Sequence, residues 1–169
     1  KSYKEALTIR EEIYGTDQME TMNSYVTMGI FYYNTGAYKK AEPYFLKAKA
    51  IYENINGKGD LTYAALCNKI GNLYREIEDY PKSLSMLLES KDIRENLLGN
   101  EDTIYAESCH SLANLYLDME DYLKAEQQYV KALQIQEISL GTGHFDYALT
   151  CGNLGYLYRI KGQHDKAEP

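Results

Sequence analysis

An all-α fold, an open superhelical array of antiparallel helix pairs, is what this sequence predicts, and three observations carry the prediction. The chain repeats itself every 42 residues: Gly15, Gly57, Gly99 and Gly141 fall in register, as do Tyr32, Tyr74, Tyr116 and Tyr158, and Ile9, Ile51, Ile93 and Ile135. A fixed period of this size marks a stacked repeat architecture. Within each period apolar residues recur at spacings of three and four rather than two, which is helix spacing. Only 3 prolines occur in 169 residues, so long helices meet few residues that would break them.

The frame divides the chain into a half unit at 1–17, full units at 18–59, 60–101 and 102–143, and a second half unit at 144–169. The first half unit is one helix, about residues 3–15, ended by Gly15. The unit at 18–59 holds two helices with a turn at 35–38, where Gly36 sits. In the next unit Asp60 and Thr62 offer capping oxygens. Ala64, Cys67, Ile70, Tyr74 and Ile77 then form one apolar stripe, a turn falls at 77–80, and Tyr80, Ser83, Leu87, Ser90 and Leu97 form the next. The third unit opens on Asp102 and Thr103 and turns at 119–122. Glu78 and Glu120 occupy the turn position that Gly36 and Gly162 hold elsewhere. Gly57, Gly99 and Gly141 suit the left-handed conformation that ends a helix. A last helix is expected at about 146–161. A lone helix pair leaves its apolar faces uncovered, so neighbouring pairs must stack.

Composition narrows the function. With 44% hydrophobic and 25% charged residues the chain builds a core and is not disordered. A formal charge of −7 disfavours phosphate-backbone binding, so no nucleic-acid partner is expected. Charged or amide residues interrupt every window that would otherwise approach the ~20 apolar residues of a membrane span. There are 18 tyrosines beside 3 phenylalanines and no tryptophan. That bias fits half-buried rings whose hydroxyls reach water or a partner.

Cys67, Cys109 and Cys151 share one repeat position. Equivalent points on packed helices lie roughly 8–10 Å apart, beyond the ~4.4–6.8 Å Cα separation of a disulfide. They read as small core residues, and unpaired thiols suit a reducing, cytoplasmic compartment. His110 follows Cys109 directly, and adjacent helical residues do not face one another. His110, His144 and His164 fall in different units, without HExxH or Cys-His zinc spacing. The pairs Gly57-Lys58-Gly59 and Gly141-Thr142-Gly143 lack the Gly-Lys-Ser/Thr ending that cradles phosphate. No catalytic residue, cofactor or metal is therefore expected, and the chain is read as a non-enzyme.

The repeat resembles the tetratricopeptide repeat: an aromatic, Leu-Gly three residues on, Tyr, then Ala and Phe in the second helix. The copies read Tyr25, Met28, Gly29, Tyr32, Ala41, Phe45; then Cys67, Ile70, Gly71, Tyr74, Ser83, Leu87; then Cys109, Leu112, Ala113, Tyr116, Ala125, Tyr129; and finally Cys151, Leu154, Gly155, Tyr158, Ala167. The spacing from Gly29 to Ala41 is that of the family, so the extra length over the ~34-residue repeat is expected in the second helix and its loop. The Ile93-x-Glu95-x-x-Leu98-Gly99 ending makes the unit similar to the kinesin light chain and nephrocystin type.

That resemblance implies a non-catalytic scaffold binding a protein, as a peptide or helical segment, in a concave groove lined by the first helices. Carried over position by position, the groove residues are Val26, Asn68, His110 and Gly152, then Ile30, Asn72, Asn114 and Tyr156, then Tyr33, Arg75, Leu117 and Arg159. The candidates among them are Asn68, Asn72, Arg75, His110, Asn114, Tyr156 and Arg159. An Asn offers a donor and an acceptor to peptide main chain, and an Arg can grip a carboxylate with two prongs. Glu76, Glu107 and Asp118 lie on or near that face. The family's chaperone-tail clamp is not expected, because its basic pairs are replaced by Val26 with Ile30 and by His110 with Asn114.

Starting and stopping inside a unit, the chain reads as a fragment of a longer protein, with head-to-tail self-association expected through the half units. An architectural or sensor role in a larger regulatory protein is the alternative reading.

Overall fold

The structure, a computed structural model, describes residues 2–167, with side chains from residue 4 onward. Among the described residues the regular elements are all helical: α1 (Ser2–Tyr14), α2 (Met19–Asn34), α3 (Tyr38–Asn56), α4 (Leu61–Glu76), α5 (Tyr80–Leu98), α6 (Thr103–Asp118), α7 (Tyr122–Leu140), α8 (Phe145–Ile160) and α9 (His164–Ala167). The 42-residue period is kept to the residue. Each of α2, α4, α6 and α8 has 16 residues, and each of α3, α5 and α7 has 19. The second helix of each pair is thus the longer one, where the spacing argument placed the extra length.

Local chemistry sets these boundaries. Asp60 accepts from the Tyr63 N–H at 2.8 Å and Asp102 from the Ile104 N–H at 2.7 Å, capping α4 and α6. At α8 the cap is His144, whose Nδ1 accepts from the Asp146 N–H. Each turn between paired helices has one construction. The Ala37, Asp79, Asp121 and Gln163 N–H groups bond back to the carbonyls of Tyr32, Tyr74, Tyr116 and Tyr158 at 2.8–2.9 Å. The residue before each has a left-handed backbone: Gly36, Glu78, Glu120 and Gly162, with φ 71°, 66°, 60° and 70°. This six-to-one closure favours glycine, so Glu78 and Glu120 hold a conformation unfavourable for a side chain with a Cβ.

The chain packs as two compact units, Lys1–Met86 and Leu87–Pro169, divided within α5. In the first, Ala41 and Phe45 of α3 close on Ile70, Leu73 and Tyr74 of α4, flanked by Tyr32, Tyr33, Tyr38, Ile77 and Met86. Small residues let these helices approach, and Ser83 Oγ donates to the Gly71 carbonyl at 2.8 Å. In the second unit Tyr105, Ala106 and Cys109 of α6 pack on Ala132 and Ile135 of α7. Ala113, Ala125, Tyr129, Leu154 and Leu157 form its other cluster.

Tyrosine hydroxyls tie helix to helix, as the composition suggested. Tyr74 donates to Glu42 at 3.1 Å, and its register equivalent Tyr158 donates to Glu126 at 3.0 Å. One stripe departs from expectation. In α5, Ser83, Leu87 and Ser90 are buried, but Leu97 is 52% exposed, and the buried place on that stripe goes to Arg94. Arg94 Nη1 donates to the Ile104 carbonyl at 3.0 Å and to Ser108 Oγ at 2.9 Å, partners on α6 that make its burial affordable in free-energy terms. The cysteines form no disulfide, with Cys67 and Cys109 buried and Cys151 half-buried. Cys151 is therefore only partly the core residue expected.

Candidate functional site

In the first unit the candidate residues lie along α4. Asn68, Asn72 and Arg75 are spaced by four and three and so share one helical face. Asn68 is buried, 4% exposed, and is held within the helix layer. Asn72 is half-buried. The Arg75 guanidinium meets the Glu76 carboxylate at 2.5 Å, with both side chains mostly covered. Glu76 is also the largest reason that the neighbouring Tyr38 hydroxyl is raised above its ordinary pKa. Arg75 thus already has a carboxylate partner. Of the α2 positions, Val26 and Tyr33 are half-buried and Ile30 is exposed. The Tyr33 ring sets its edge against Tyr38 at a centroid distance of 5.3 Å.

In the second unit the structure brings His110 and Asn114 of α6 into one hydrogen-bonded chain with α7 and α8. His110 Nδ1 lies 2.8 Å from Thr150 Oγ1, whose hydroxyl donates to the Asp146 carbonyl at 2.9 Å. Asn153 Nδ2 approaches His110 Nε2 at 3.3 Å and Asn114 Oδ1 at 3.2 Å. Tyr129 donates to the same Asn114 oxygen at 2.5 Å, and its ring meets the His110 ring edge-on. Thr150 gives its hydroxyl proton to the Asp146 carbonyl and Asn153 offers a donor at Nδ2, so His110 Nδ1 faces an acceptor and its Nε2 a donor. Asn114 is anchored by its oxygen, which fixes the direction of its NH2 group. One helical turn beyond Asn153, Tyr156 is 48% exposed, with the Arg159 guanidinium 5.1 Å from its ring centroid.

Asn153 was missed from the sequence. Its register equivalents Thr27, Lys69 and Ser111 share no chemistry with it, so the period carries no signal there. Among the described residues no group of three or more His, Cys, Asp or Glu is placed to hold a metal. Burial pushes the Cys109 thiol above its ordinary pKa, the condition of a packing residue rather than a reactive thiolate. No helix of the described chain is long and apolar enough to cross a membrane.

Tandem helix pairs of constant length, joined by one repeated turn, define a helical-repeat protein. The profile of the tetratricopeptide repeat family matches residues 1–54, 61–137 and 106–169, and the chain belongs to that family of protein-interaction scaffolds. Among solved structures the fold is similar to BtubC (BKLC) from P. vanneervenii, with a TM-score of 0.83, 23% identity and 98% of this chain covered. It is also similar to the Podosopora anserina kinesin light chain protein with nearly identical TPR-like repeats (TM-score 0.79, 17% identity, 98% covered). The apo form of RapI matches as well (TM-score 0.77, 20% identity, 98% covered). This chain spans 66%, 79% and 44% of those three chains. No curated protein sequence matches it.

Proposed function

We propose that this chain is a non-catalytic scaffold that holds a peptide or helical segment of a protein partner in the concave groove lined by its first helices. The observation that carries the reading is the α6–α8 face of the second unit. There Asn114 is bonded through its amide oxygen to Asn153 of α8, which lies one helical turn before the exposed Tyr156–Arg159 pair, a combination suited to main-chain carbonyls together with an apolar or acidic side chain. Asn72 and Arg75 supply the corresponding chemistry in the first unit, where Arg75 shares its charge with Glu76. Thiols without a disulfide fit a reducing cytoplasm.

The test is affinity capture from cell lysate with the parent chain and two double variants, Asn72→Ala/Asn114→Ala and Tyr156→Ala/Arg159→Ala. Helical circular dichroism and melting are compared first, because Asn114→Ala also removes the Tyr129 and Asn153 partners. A partner held by the parent and lost by Tyr156→Ala/Arg159→Ala supports the reading. Equal capture by all three overturns it.

A second reading, architectural self-association, is favoured by one observation. Ile9 and Ile13 of α1 and Phe145, Leu149 and Ile160 of α8 are exposed apolar side chains. A head-to-tail contact between copies would cover both sets. Sedimentation velocity showing growth with concentration supports it, and a strict monomer at high concentration removes it.

A further inference from the structure

In the second unit α8 leaves open a face that α6 has covered. Tyr105, Ala106 and Cys109 of α6 are fully buried under Ala132 and Ile135 of α7. Their register equivalents on α8 are Tyr147, Ala148 and Cys151. Tyr147 and Cys151 are only half-buried, and Ala148 is exposed. One turn on, Gly155 borders a pocket of about 590 Å3 whose walls include Leu133, Cys151, Leu154, Tyr158 and Ala167. Among the described residues a Cβ on Gly155 would meet only the Ala167 carbonyl, at 3.4 Å, whereas the same position in the first unit, Gly29, is closed by the Phe45 ring.

Within the first unit α1 has the opposite deficit. Ala48 and Ile51 of α3 are fully buried, but their equivalents Ala6 and Ile9 on α1 are half-buried and 53% exposed. The other side of α1 is engaged with α2, where Arg10 donates to Ser24 Oγ and Tyr25 donates to Glu11. So α1 holds the first helix that follows it, while the face that a second helix turns to its own first helix stays uncovered. In register α1 (Ser2–Tyr14) repeats Tyr44–Asn56 of α3, and α9 (His164–Ala167) repeats Tyr38–Ala41. Beside α8, α9 is the opening turn of a second helix, and α1 matches the rest of one.

We propose that α1 of a second copy of this chain docks on α8 directly after α9, so that copies join head to tail and complete a second helix across the contact. The earlier pairs fix the register. Ala6 and Ile9 come over Tyr147, Ala148 and Cys151 as Ala132 and Ile135 lie over Tyr105, Ala106 and Cys109. Glu5 takes the place of Lys131, which donates to the Tyr105 hydroxyl at 2.6 Å, and so sets a carboxylate before the Tyr147 hydroxyl, a donor. Tyr14 and Phe145 stand where Asn56 and Met19 touch at 3.8 Å in the first unit, which brings together two rings that are 49% and 73% exposed. The contact continues the α6–α7 packing by one helix and covers apolar surface that a lone copy leaves in water. Because the two faces differ, the assembly has no internal stop and lengthens with concentration. The contact rests on the self-association reading and gives it an interface.

Sedimentation velocity of the 169-residue chain over a concentration series tests it, with Ile9→Asp and Ala148→Arg as variants. Both positions are exposed in a single copy, so helical circular dichroism is expected to match the parent. The parent's sedimentation coefficient is expected to rise without a plateau at the dimer. Each variant alone is expected to stay monomeric, one lacking the α1 face and the other the α8 face. An equimolar mixture of the two restores one good contact per pair and is expected to stop at the heterodimer. Ile9→Cys, set against Cys151 as Ile135 is against Cys109, is expected to give a ladder of disulfide-linked copies under a mild oxidant, lost when Cys151→Ser is added. A parent that stays strictly monomeric at high concentration overturns both the contact and the reading beneath it. Growth that Ile9→Asp and Ala148→Arg leave unchanged, or a mixture that forms no heterodimer, overturns this contact alone. Should either charged variant lose helicity, the crosslink that depends on Cys151 decides.

Discussion

One methyl group, added at two helix-interior glycines, is expected to move stability in opposite directions. A Cβ on Gly29 would lie 2.6 Å from Cδ1 and Cε1 of Phe45 and 2.9 Å from its Cγ. Optimal carbon contacts are about 3.5–4.0 Å, so the overlap approaches 1 Å. The Phe45 ring is buried in the cluster with Ala41, Ile70 and Leu73 and has no room to swing. Overpacking of this kind costs about 1–3 kcal/mol, against about 1 kcal/mol gained when alanine replaces glycine inside a helix. Gly29→Ala is therefore expected to destabilise by up to about 2 kcal/mol. At Gly152 an added Cβ meets nothing within 4 Å, and Gly152→Ala is expected to stabilise by about 0.5–1 kcal/mol. Urea unfolding followed by circular dichroism gives the two midpoints, and hydrogen exchange locates the change in α2–α3 or in α8. Phe45→Leu, matching Leu87 at the same repeat position, should relieve Gly29→Ala and give a coupling of about 1 kcal/mol in the double-mutant cycle. Stabilisation by Gly29→Ala, or a coupling near zero, would refute the reasoning.

Three further outcomes follow from the turns, caps and buried charge. Glu120→Gly relieves a left-handed backbone worth roughly 1–2 kcal/mol but gives back about 0.5–1 kcal/mol of unfolded-state entropy, so its melting temperature should be unchanged or higher, whereas Glu120→Val should lower it. Burial opposes ionisation of Asp60, but bonds from the Tyr52 hydroxyl and the Tyr63 and Thr62 N–H groups outweigh it and hold the carboxyl below its ordinary range. A depressed carboxyl contributes stability above its unfolded pKa of about 3.9 and loses it as pH falls through the folded value. Acid titration of stability below pH ~4 should then be shallower for Asp60→Asn, and Asp60→Ala should cost about 1 kcal/mol at neutral pH. Arg94→Met leaves Ser108 Oγ and the Ile104 carbonyl without their guanidinium partner and should destabilise by about 2–4 kcal/mol. Adding Ser108→Ala should recover part of that loss, measured by chemical denaturation, because the orphaned hydroxyl goes with it.

The helices, their lengths and their ends were legible in the sequence because each is settled within a few residues. Asp60 and Asp102 cap through their own N-terminal turns, and the 42-residue register put every turn at one phase. The family was legible for the same reason, since Gly29, Tyr32 and Ala41 answer to contacts inside one helix pair. What only the tertiary structure decided are the fates of polar side chains whose partners lie on another helix. Spacing placed Leu97 on the buried stripe of α5, but the acceptors on α6 gave the interior to Arg94. Spacing marked His110 and Asn114 as candidates, but Thr150 and Asn153, 39–43 residues away, hold the ring of one and the amide of the other. Apolar periodicity tells which face of a helix turns inward, because burial is non-directional. A hydrogen bond needs a named partner within about 3 Å, and only the folded chain says which partner arrives.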